Sequence, residues 1–366
     1  EVHSLSVGER QRVEIIRCLL QNPALIILDE PTSVLTPQAV RQLFKTLRLL
    51  ASQGVSILYI SHKLHEIKEL CDEATILRNG RVTGNVNPKD NSTSDLARLM
   101  IGRDLPTYVR PEYTGEKQVL FQVENLNYQS DDPFGVSLKN INLNICAGEI
   151  VGIAGISGNG QAELLSLLSG ENSLKHGRMV LAQIDIFRFS PGQRRDLGLG
   201  FVPEERLGRG AVPNMTLSQN ALLTAFRQNL TQWGLIKFSQ CKLFAQHCIE
   251  KFGVKASGPE AEARSLSGGN LQKFIVGREI LQNPKFLIVA QPTWGVDVGA
   301  SMFIRQTLID LSRQGVAILV ISEELEELFE ISDRLCVLAN GELSPAIPIH
   351  ETNTENVGVL MSGISS

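Results

Sequence analysis

The sequence predicts an α/β fold with parallel strands that is present twice, and three observations support this prediction. Short, continuous apolar runs such as Leu25–Leu28 have the length and composition of strands in a parallel sheet. Helical patterns follow these runs, which is the order expected of α/β proteins. Many residues of the first hundred also have a similar residue 261 positions later, as Gln21-Asn22-Pro23 has in Gln282-Asn283-Pro284.

Composition excludes several other classes of protein. The chain has 366 residues, 43% of them apolar and 20% charged, which describes a globular protein with room for two domains. Its net charge of −4 gives no electrostatic reason to expect a nucleic acid as partner. The six cysteines include no C-x-x-C pair, so neither a zinc site nor a disulfide framework is indicated. The longest apolar runs, such as Gly315–Ile321, are far shorter than the roughly 18 residues of a membrane span.

The repeat is regular enough to indicate a duplicated domain. Between Leu5 and Gly80, 30 of 76 positions are identical to the residue 261 positions later, without a gap. We therefore assign residues 1–103 to the C-terminal part of a first copy, 104–116 to a linker, and 117–366 to a second copy. Because no part of the first copy corresponds to residues 117–265, we expect this copy to be incomplete and the chain to be truncated at its N-terminus.

The first candidate site lies where the apolar run Leu25–Leu28 ends in Asp29 and Glu30. Ligands of open α/β sheets bind just beyond the carboxyl ends of strands, so two adjacent carboxylates there can face a ligand. A strand that simply ends in solvated acids is the alternative. The preceding segment favours a site, because Leu5-Ser-Val-Gly-Glu9 opens a helical pattern whose N-terminus offers unpaired N–H groups to an anion.

Together, Leu5–Arg12 and Leu25–Thr32 resemble the signature sequence and the Walker B strand of ABC-transporter ATPases. Ile60-Ser61-His62 is similar to the switch histidine of that family. The resemblance implies a P-loop NTPase fold in which each copy has a RecA-like α/β core and a helical subdomain. It also implies that the protein uses ATP and Mg²⁺.

The resemblance also implies a role for each residue of this strand end. Asp29 would hold Mg²⁺, Glu30 would polarise the attacking water, and His62 would contact the γ-phosphate. These roles suit phosphoryl transfer, which needs positioning and charge stabilisation more than covalent chemistry. One departure is Thr36, because the connecting loop of the family generally has an aspartate there.

A glycine loop in the second copy matches the spacing G-x-x-x-x-G-K-[ST] and follows a strand pattern at Glu149–Gly155. Gln161 replaces the lysine that reaches the phosphates, and Ala162 replaces the hydroxyl that binds Mg²⁺. The N–H groups of the loop can still contact phosphates, so the sequence predicts nucleotide binding without the lysine cation. Tyr128 lies where the family stacks an aromatic ring on adenine, and a core or edge tyrosine is an equal alternative. The predicted loop residues are Gly155, Ser157, Gly158, Asn159, Gly160, Gln161 and Ala162.

Other positions of the second copy also differ from the family pattern. Its strand end reads Ala290-Gln291 in place of the two carboxylates, and Glu204 stands where the Q-loop glutamine is expected. Glu323 replaces the switch histidine, and a negative charge about 4 Å from a γ-phosphate would cost roughly 4 kcal/mol at a dielectric constant near 20. Glu323 can equally favour a helix N-terminus. Asp297 retains the acid of the connecting loop. We therefore expect no hydrolysis of the usual kind in this copy.

Domains of this family pair head to tail, so the resemblance implies two composite sites. One would contain the intact motifs and hydrolyse ATP; the other would be structural or regulatory. The intact site would join Asp29, Glu30 and His62 to the second signature, Ser267, Gly268, Gly269 and Asn270. The altered site would join the glycine loop at 155–162 to Ser6, Val7 and Gly8 of the first signature.

The resemblance implies an importer of nucleosides or simple sugars, nearest to the nucleoside branch. The partners would be two membrane permeases and a substrate-binding protein, and the protein would lie at the cytoplasmic face of the membrane. Helical patterns between Met215 and Phe252 would form the helical subdomain, with apolar residues that serve as core more often than as docking surface. Two alternatives are a tandem ABC protein that acts on the ribosome and a nucleotide-binding regulator without hydrolysis.

Overall fold

Parallel strands followed by helices recur along the chain, as the apolar runs predict. The computed structural model describes residues 7–32, 35, 37–61, 63–78, 80–102, 109, 111–130, 132–133, 135–173 and 176–361. They divide into two units, one of residues up to Val109 with Asp297–Gly299, and one of Arg110–Val296 with the residues from Ala300 onwards. No helix among the described residues combines the length and the apolar character that crossing a bilayer requires.

The described residues of the first unit form one parallel strand pair and one antiparallel hairpin. In the parallel pair Asp29 lies opposite Ile60, so both strands end at the same edge. The last helix starts after Ser92, whose hydroxyl accepts a hydrogen bond from the N–H of Asp95, and ends at Gly102 in the left-handed conformation (φ 85°). The elements are α1 (Val7–Leu19), β1 (Leu25–Asp29), α2 (Pro37–Ser52), β2 (Ser56–Ile60), α3 (Leu64–Leu70), β3 (Ala74–Arg78), β4 (Arg81–Val86) and α4 (Thr93–Ile101).

Strand β1 is buried on one face only. Ile26 and Leu28 are 2% and 8% exposed, whereas Leu25 and Ile27 are 53% and 60% exposed. The buried face packs on α2. Among the described residues this sheet contains only β1 and β2, and on its other face Leu58 and Ile60 of β2 are exposed as well. The expectation of a fully buried strand is therefore wrong for this face, since a continuous apolar run is buried only where both faces are covered.

The second unit contains a central, mainly parallel sheet and a separate antiparallel sheet. The strand order of the central sheet is β10-β13-β14-β7-β15-β16, with β17 paired to β15, and that of the antiparallel sheet is β6-β5-β8-β9. The strands are β5 (Val119–Tyr128), β6 (Leu138–Cys146), β7 (Ile150–Ala154), β8 (His176–Leu181), β9 (Ile184–Asp185), β10 (Leu199–Val202), β11 (Thr231–Gln232), β12 (Leu235–Ile236), β13 (Phe286–Ala290), β14 (Ala317–Ser322), β15 (Arg334–Ala339), β16 (Glu342–Leu343) and β17 (Ile347–Pro348). The helices are α5 (Gln161–Ser169), α6 (Pro191–Asp196), α7 (Leu217–Ala225), α8 (Phe238–Lys251), α9 (Gly268–Ile280), α10 (Val298–Arg313), α11 (Leu325–Ile331) and α12 (Thr354–Met361).

The core of the second unit lies between these two sheets. Every residue of β7, β13 and β14 is buried. Leu164, Leu167 and Leu168 of α5 are fully buried in the same apolar cluster as Phe121, whose ring stacks on Phe286 at a centroid distance of 4.1 Å. Such packing in a near-continuous apolar core is the main stabilising term of the unit.

The segment 215–252 forms two helices, α7 and α8, joined by the short hairpin β11–β12, which the helical patterns do not predict. Part of its apolar pattern faces solvent: Leu223, Phe226 and Leu243 are 47%, 37% and 61% exposed. For these three the interpretation as core residues is wrong, because Ala225, Leu230 and Cys241 fill the space between the helices. Trp233 at the hairpin tip is 93% exposed.

Candidate functional site

The strand end of β1 has an unusual backbone. Asp29 is the last residue of the strand, and Glu30 has a φ of 45°, in the left-handed region that side chains other than glycine rarely adopt. The Glu30 N–H donates to the carbonyl of Ile60 at 2.8 Å, which ties the end of β1 to the end of β2. Such a conformation costs about 1–3 kcal/mol and typically occurs at functional sites.

A buried carboxylate holds the segments that follow both strands. Glu66 of α3 accepts hydrogen bonds from the hydroxyls of Thr32 (2.5 Å), Tyr59 (2.6 Å) and Ser61 (3.2 Å). Burial raises the pKa of Tyr59, and its hydrogen bond to Glu66 raises it further, so the phenol remains a donor. No sequence motif marks Glu66, although its identity with Glu327 across the repeat is a signal.

Several predicted residues of the first unit lie outside the described part of the chain. These are Ser6, Thr36 and His62. Val7 and Gly8 lie in the first turn of α1. The roles assigned to them by resemblance stay predictions.

The glycine loop of the second unit runs from β7 into α5, as the motif predicts. Gly158 and Gly160 have φ values of 88° and 108°, which glycine adopts without strain. Gln161 folds back into the loop: its Nε2 donates to the carbonyl of Ile156 at 2.7 Å, and its Oε1 accepts from the N–H of Asn159 at 3.1 Å. The amide therefore occupies one loop N–H and one loop carbonyl but supplies no positive charge for a phosphate.

Asn159 also ties this loop to the turn after β15. Its side-chain Oδ1 accepts from the N–H of Asn340, and its carbonyl accepts from the N–H of Gly341, both at 3.1 Å. Beside the loop, Tyr128 lines a cleft of about 580 Å³ with Leu138, Lys139 and His176. The cleft can admit a planar ring, while Tyr128 also packs against the core, so both interpretations of this tyrosine remain.

The strand end of β13 repeats the backbone of β1. Gln291 has a φ of 46°, and its N–H donates to the carbonyl of Ile321 at 2.8 Å. The Gln291 Oε1 accepts from the N–H of Glu323 at 3.3 Å, so two of the altered positions contact each other. With Ala290 before it, this strand end presents no carboxylate.

The buried carboxylate of α11 is Glu327. It accepts hydrogen bonds from the hydroxyls of Thr293 (2.6 Å) and Ser322 (2.8 Å), and Arg305 Nε lies 3.5 Å from it. Burial raises the pKa of Glu327, against the opposing effect of the Arg305 charge. Burial also raises the pKa of Glu204 at the Q-loop position, and the charge of Glu205 raises it further.

The second signature lies at the N-terminus of α9, with Ser267 as its N-cap residue. Asn270 Nδ2 donates to the Ser267 hydroxyl at 2.8 Å, and Asn270 Oδ1 accepts from the N–H of Lys255 at 2.8 Å. Gly268 and Gly269 form the first turn, and Asp297 lies directly before α10. No sequence motif marks Arg206, whose guanidinium donates to the carbonyl of Gly295 at 3.1 Å close to Gly268.

The two strand ends differ in the side chains that they offer as ligands to a divalent cation. Within the described residues no group of three or more His, Cys, Asp or Glu side chains forms a ready metal cage. Mg²⁺ bound with a nucleotide needs only one or two carboxylates, because phosphates and water supply the other ligands. The strand end of Asp29 and Glu30 fits this requirement, and that of Ala290 and Gln291 does not.

Comparisons with known proteins identify the family of the chain. The family model described as ABC transporter matches residues 1–33 and 138–294. The nucleoside import ATP-binding protein NupA of Lactococcus lactis is 37% identical over 363 residues, which are 99% of this chain and 72% of that protein. The glucose import ATP-binding protein TsgD13 of Haloferax volcanii is 37% identical over 366 residues, which are 99% of this chain and 66% of that protein.

A solved structure gives the fold independently. The dimeric post-hydrolysis state of the ATP-binding cassette MJ0796 with ADP and Pi matches with a TM-score of 0.55 and 22% identity, covering 63% of this chain and 99% of that chain. At this identity the likeness concerns the fold alone. With the family model and the relatives, it leads to one conclusion: the chain has the P-loop α/β fold and belongs to the ATP-binding proteins of the ABC transporter family.

Proposed function

We propose that this chain is part of the ATP-hydrolysing subunit of an importer for nucleosides or simple sugars, and that hydrolysis depends on Asp29, Glu30 and His62. The observation that carries this proposal is the contrast between two strand ends with the same backbone, of which only that of β1 has carboxylates. Asp29 would hold Mg²⁺, which neutralises charge on the phosphates when bound. Glu30 would orient and polarise the attacking water.

The proposal includes a duplicated domain. Equivalent hydrogen bonds at the same offset support it: Thr32 to Glu66 corresponds to Thr293 to Glu327, and the N–H of Lys63 to the Ser61 hydroxyl corresponds to Glu324 and Ser322. The left-handed residues Asn22 and Glu30 also have counterparts in Asn283 and Gln291. Chance similarity of two helices would not reproduce such specific contacts.

We also propose that the first copy is incomplete in this chain. The exposed apolar face of its sheet supports this, since Leu25, Ile27, Leu58 and Ile60 are 46–60% exposed. Their counterparts in the second copy are buried against α5 and the antiparallel sheet. A segment equivalent to residues 117–265 would cover the face and would supply the first glycine loop.

The second copy would serve a structural or regulatory role. Gln161 and Ala162 remove the cation and the Mg²⁺-binding hydroxyl of the loop, and Ala290, Gln291 and Glu323 remove the groups for hydrolysis. This copy would still bind a nucleotide, because the N–H groups of the loop can contact phosphates. The boundaries 1–103, 104–116 and 117–366 and the signature residues Ser6, Gly8, Ser267, Gly268, Gly269 and Asn270 stay part of this proposal.

The transport partners would be two membrane permeases and a substrate-binding protein, with the ATPase at the cytoplasmic face. The relatives support this class of function, being import ATP-binding proteins for nucleosides and for glucose. An exposed apolar patch on the helical segment supports a protein partner: Trp233, Leu235 and Phe238 are 93%, 73% and 67% exposed. Contiguous patches of this kind commonly mark interaction sites.

The experiment that tests the proposal compares Glu30→Gln with Gln291→Glu in the full-length protein. Glu30→Gln keeps the shape of the side chain but removes its charge, so we expect kcat for ATP hydrolysis to fall by at least about 100-fold while ATP still binds. Gln291→Glu should leave kcat within about twofold. The proposal would be wrong if Glu30→Gln retained a tenth of the activity or more, or if Gln291→Glu abolished it.

A further inference from the structure

The Glu66 carboxylate lies entirely inside the first unit, with 1% of its surface exposed. Its two oxygens divide their hydrogen bonds between two chain segments. Oε1 accepts from Thr32, and Oε2 accepts from Tyr59 and Ser61. A carboxylate is an acceptor with two separate oxygens, so it can join the two segments as a hydroxyl or a methyl group could not.

Each joined segment adjoins a residue of the proposed reaction. Thr32 lies two residues after Glu30, and Ser61 directly precedes His62. The Ser61 hydroxyl also accepts a hydrogen bond from the N–H of Lys63 at 3.0 Å, so Ser61 and Lys63 are joined to each other. The Glu30 N–H bond to Ile60 provides a second link between the same segments.

Glu30 needs such support because of its backbone. Its φ of 45° is a conformation that persists only where surrounding contacts over-determine it. Thr32 is 2% exposed and is held by the short bond to Glu66, which fixes the chain just beyond the strained residue. Hydrogen bonds to an ionised acceptor are shorter and stronger than those between neutral groups.

The second unit provides an internal comparison. Glu327 joins Thr293 to Ser322 in the same way, beside a strand end without carboxylates. At the corresponding positions of the second unit, Val320 replaces Tyr59 and Arg305 replaces Phe44. The third group that contacts the Glu327 carboxylate is therefore a cation, whereas the third group at Glu66 is a phenol. The bridge therefore belongs to the fold in both units, and only the bridge of Glu66 adjoins the residues assigned to hydrolysis.

We propose that Glu66 is a positioning residue: by bridging Thr32 and Ser61 it holds Glu30 in the arrangement required for hydrolysis, without touching the nucleotide. This inference rests on the proposed function. Misplacing reacting groups by about 1 Å can cost on the order of 100-fold in rate, whereas substrate binding depends on other contacts. The effect of losing the bridge should therefore fall on kcat and spare KM.

The test uses the full-length protein with Glu66→Gln and the matched variant Glu327→Gln. Glu66→Gln should lower kcat for ATP hydrolysis between about 10-fold and 100-fold and leave KM for ATP within about twofold. Glu327→Gln makes the same change in the other unit, replacing one of the two acceptor oxygens with an N–H₂ group, and should change neither value by more than about twofold. Circular dichroism and thermal unfolding verify that both variants are folded.

A second pair of variants separates positioning from general loss of stability. Thr32→Val removes the hydroxyl at nearly constant shape and should lower kcat as Glu66→Gln does, whereas Thr32→Ser keeps the hydroxyl and should retain most of the activity. The double variant Glu66→Gln/Thr32→Val should be no slower than the slower single variant.

Equal kcat for Glu66→Gln and wild type would overturn the inference, as would equal losses for Glu66→Gln and Glu327→Gln. Failure of Thr32→Ser to retain activity would also overturn it. These outcomes are distinct from failure of the proposed function, which would appear as continued hydrolysis by Glu30→Gln. If Glu66→Gln does not fold, the Thr32 pair decides the question alone.

Discussion

The strand ends of β1 and β13 have the same backbone but different side chains. Glu30 and Gln291 have φ values of 45° and 46°, and each N–H donates at 2.8 Å to the neighbouring strand. At the positions of Asp29 and Glu30 in β1, the strand end of β13 has Ala290 and Gln291. The difference teaches that the geometry of the strand end belongs to the fold, whereas the proposed hydrolysis depends on a few side chains that one unit has and the other lacks.

The surroundings of the two buried glutamates differ in a related way. Around Glu66, Phe44 and Tyr59 pack edge to face at a centroid distance of 6.2 Å, and the phenol donates to the carboxylate. Around Glu327, Arg305 approaches the carboxylate and also pairs with Glu330 at 2.6 Å. Within the part of the chain that the structure describes, the side-chain partners of Glu66 are therefore hydroxyls, whereas Glu327 has hydroxyls and a cation. The two buried acids should therefore depend differently on charge.

The largest change in stability should come from Arg305→Met. It leaves the buried carboxylate of Glu327 without its cation, and breaking a buried pair in this way costs about 3–5 kcal/mol. Denaturant unfolding at neutral pH measures the loss. Phe44→Leu is the matched change in the first unit and should cost about 1–1.5 kcal/mol, because it removes only part of an apolar side chain.

The pH dependence of this loss sharpens the comparison. Because the folded-state pKa of Glu327 is already raised by burial, and Arg305 opposes that shift, Arg305→Met should raise it further. A raised carboxyl pKa means that the folded state favours the protonated acid, so the loss should be largest at neutral pH and should shrink as the pH falls through that pKa. The loss in Phe44→Leu should show no such dependence; equal pH profiles for the two variants would contradict the account.

A smaller change is expected for Tyr59→Phe. It removes the 2.6 Å bond to Glu66 and should lower the free energy of unfolding by about 1.5–2 kcal/mol. In the Glu66→Gln background the same substitution should cost clearly less, because its acceptor is already altered. Equal costs in both backgrounds would show that the phenol does not act through this carboxylate.

Local patterns predicted much of the fold and of the site. The strands before Asp29 and Ala290 and the glycine loop before Gln161 were predicted because apolar runs and glycine spacing are properties of neighbouring residues. The exposure of Leu25 and Ile27 was not, since burial depends on which distant elements cover a strand. The Gln161 hydrogen bonds within the loop also depend on a side-chain conformation that spacing does not determine.

The hydrogen bonds of the buried glutamates could not be predicted from local patterns. Glu66 is one of many glutamates on amphipathic helices, and its partner Thr32 lies 34 positions away in the sequence. Only the three-dimensional arrangement brings them together. The exposed hairpin at Trp233 could not be predicted because its two strands have only two residues each, too few to show a periodicity.

The most direct test of the central claim, that one strand end hydrolyses ATP and the other does not, is a single-turnover measurement. The full-length protein is loaded with ATP in the absence of Mg²⁺ and separated from free nucleotide. The reaction is then started by adding Mg²⁺. The account predicts that one ATP per chain is converted to ADP and that any second bound nucleotide remains ATP. Conversion of two ATP per chain would contradict it.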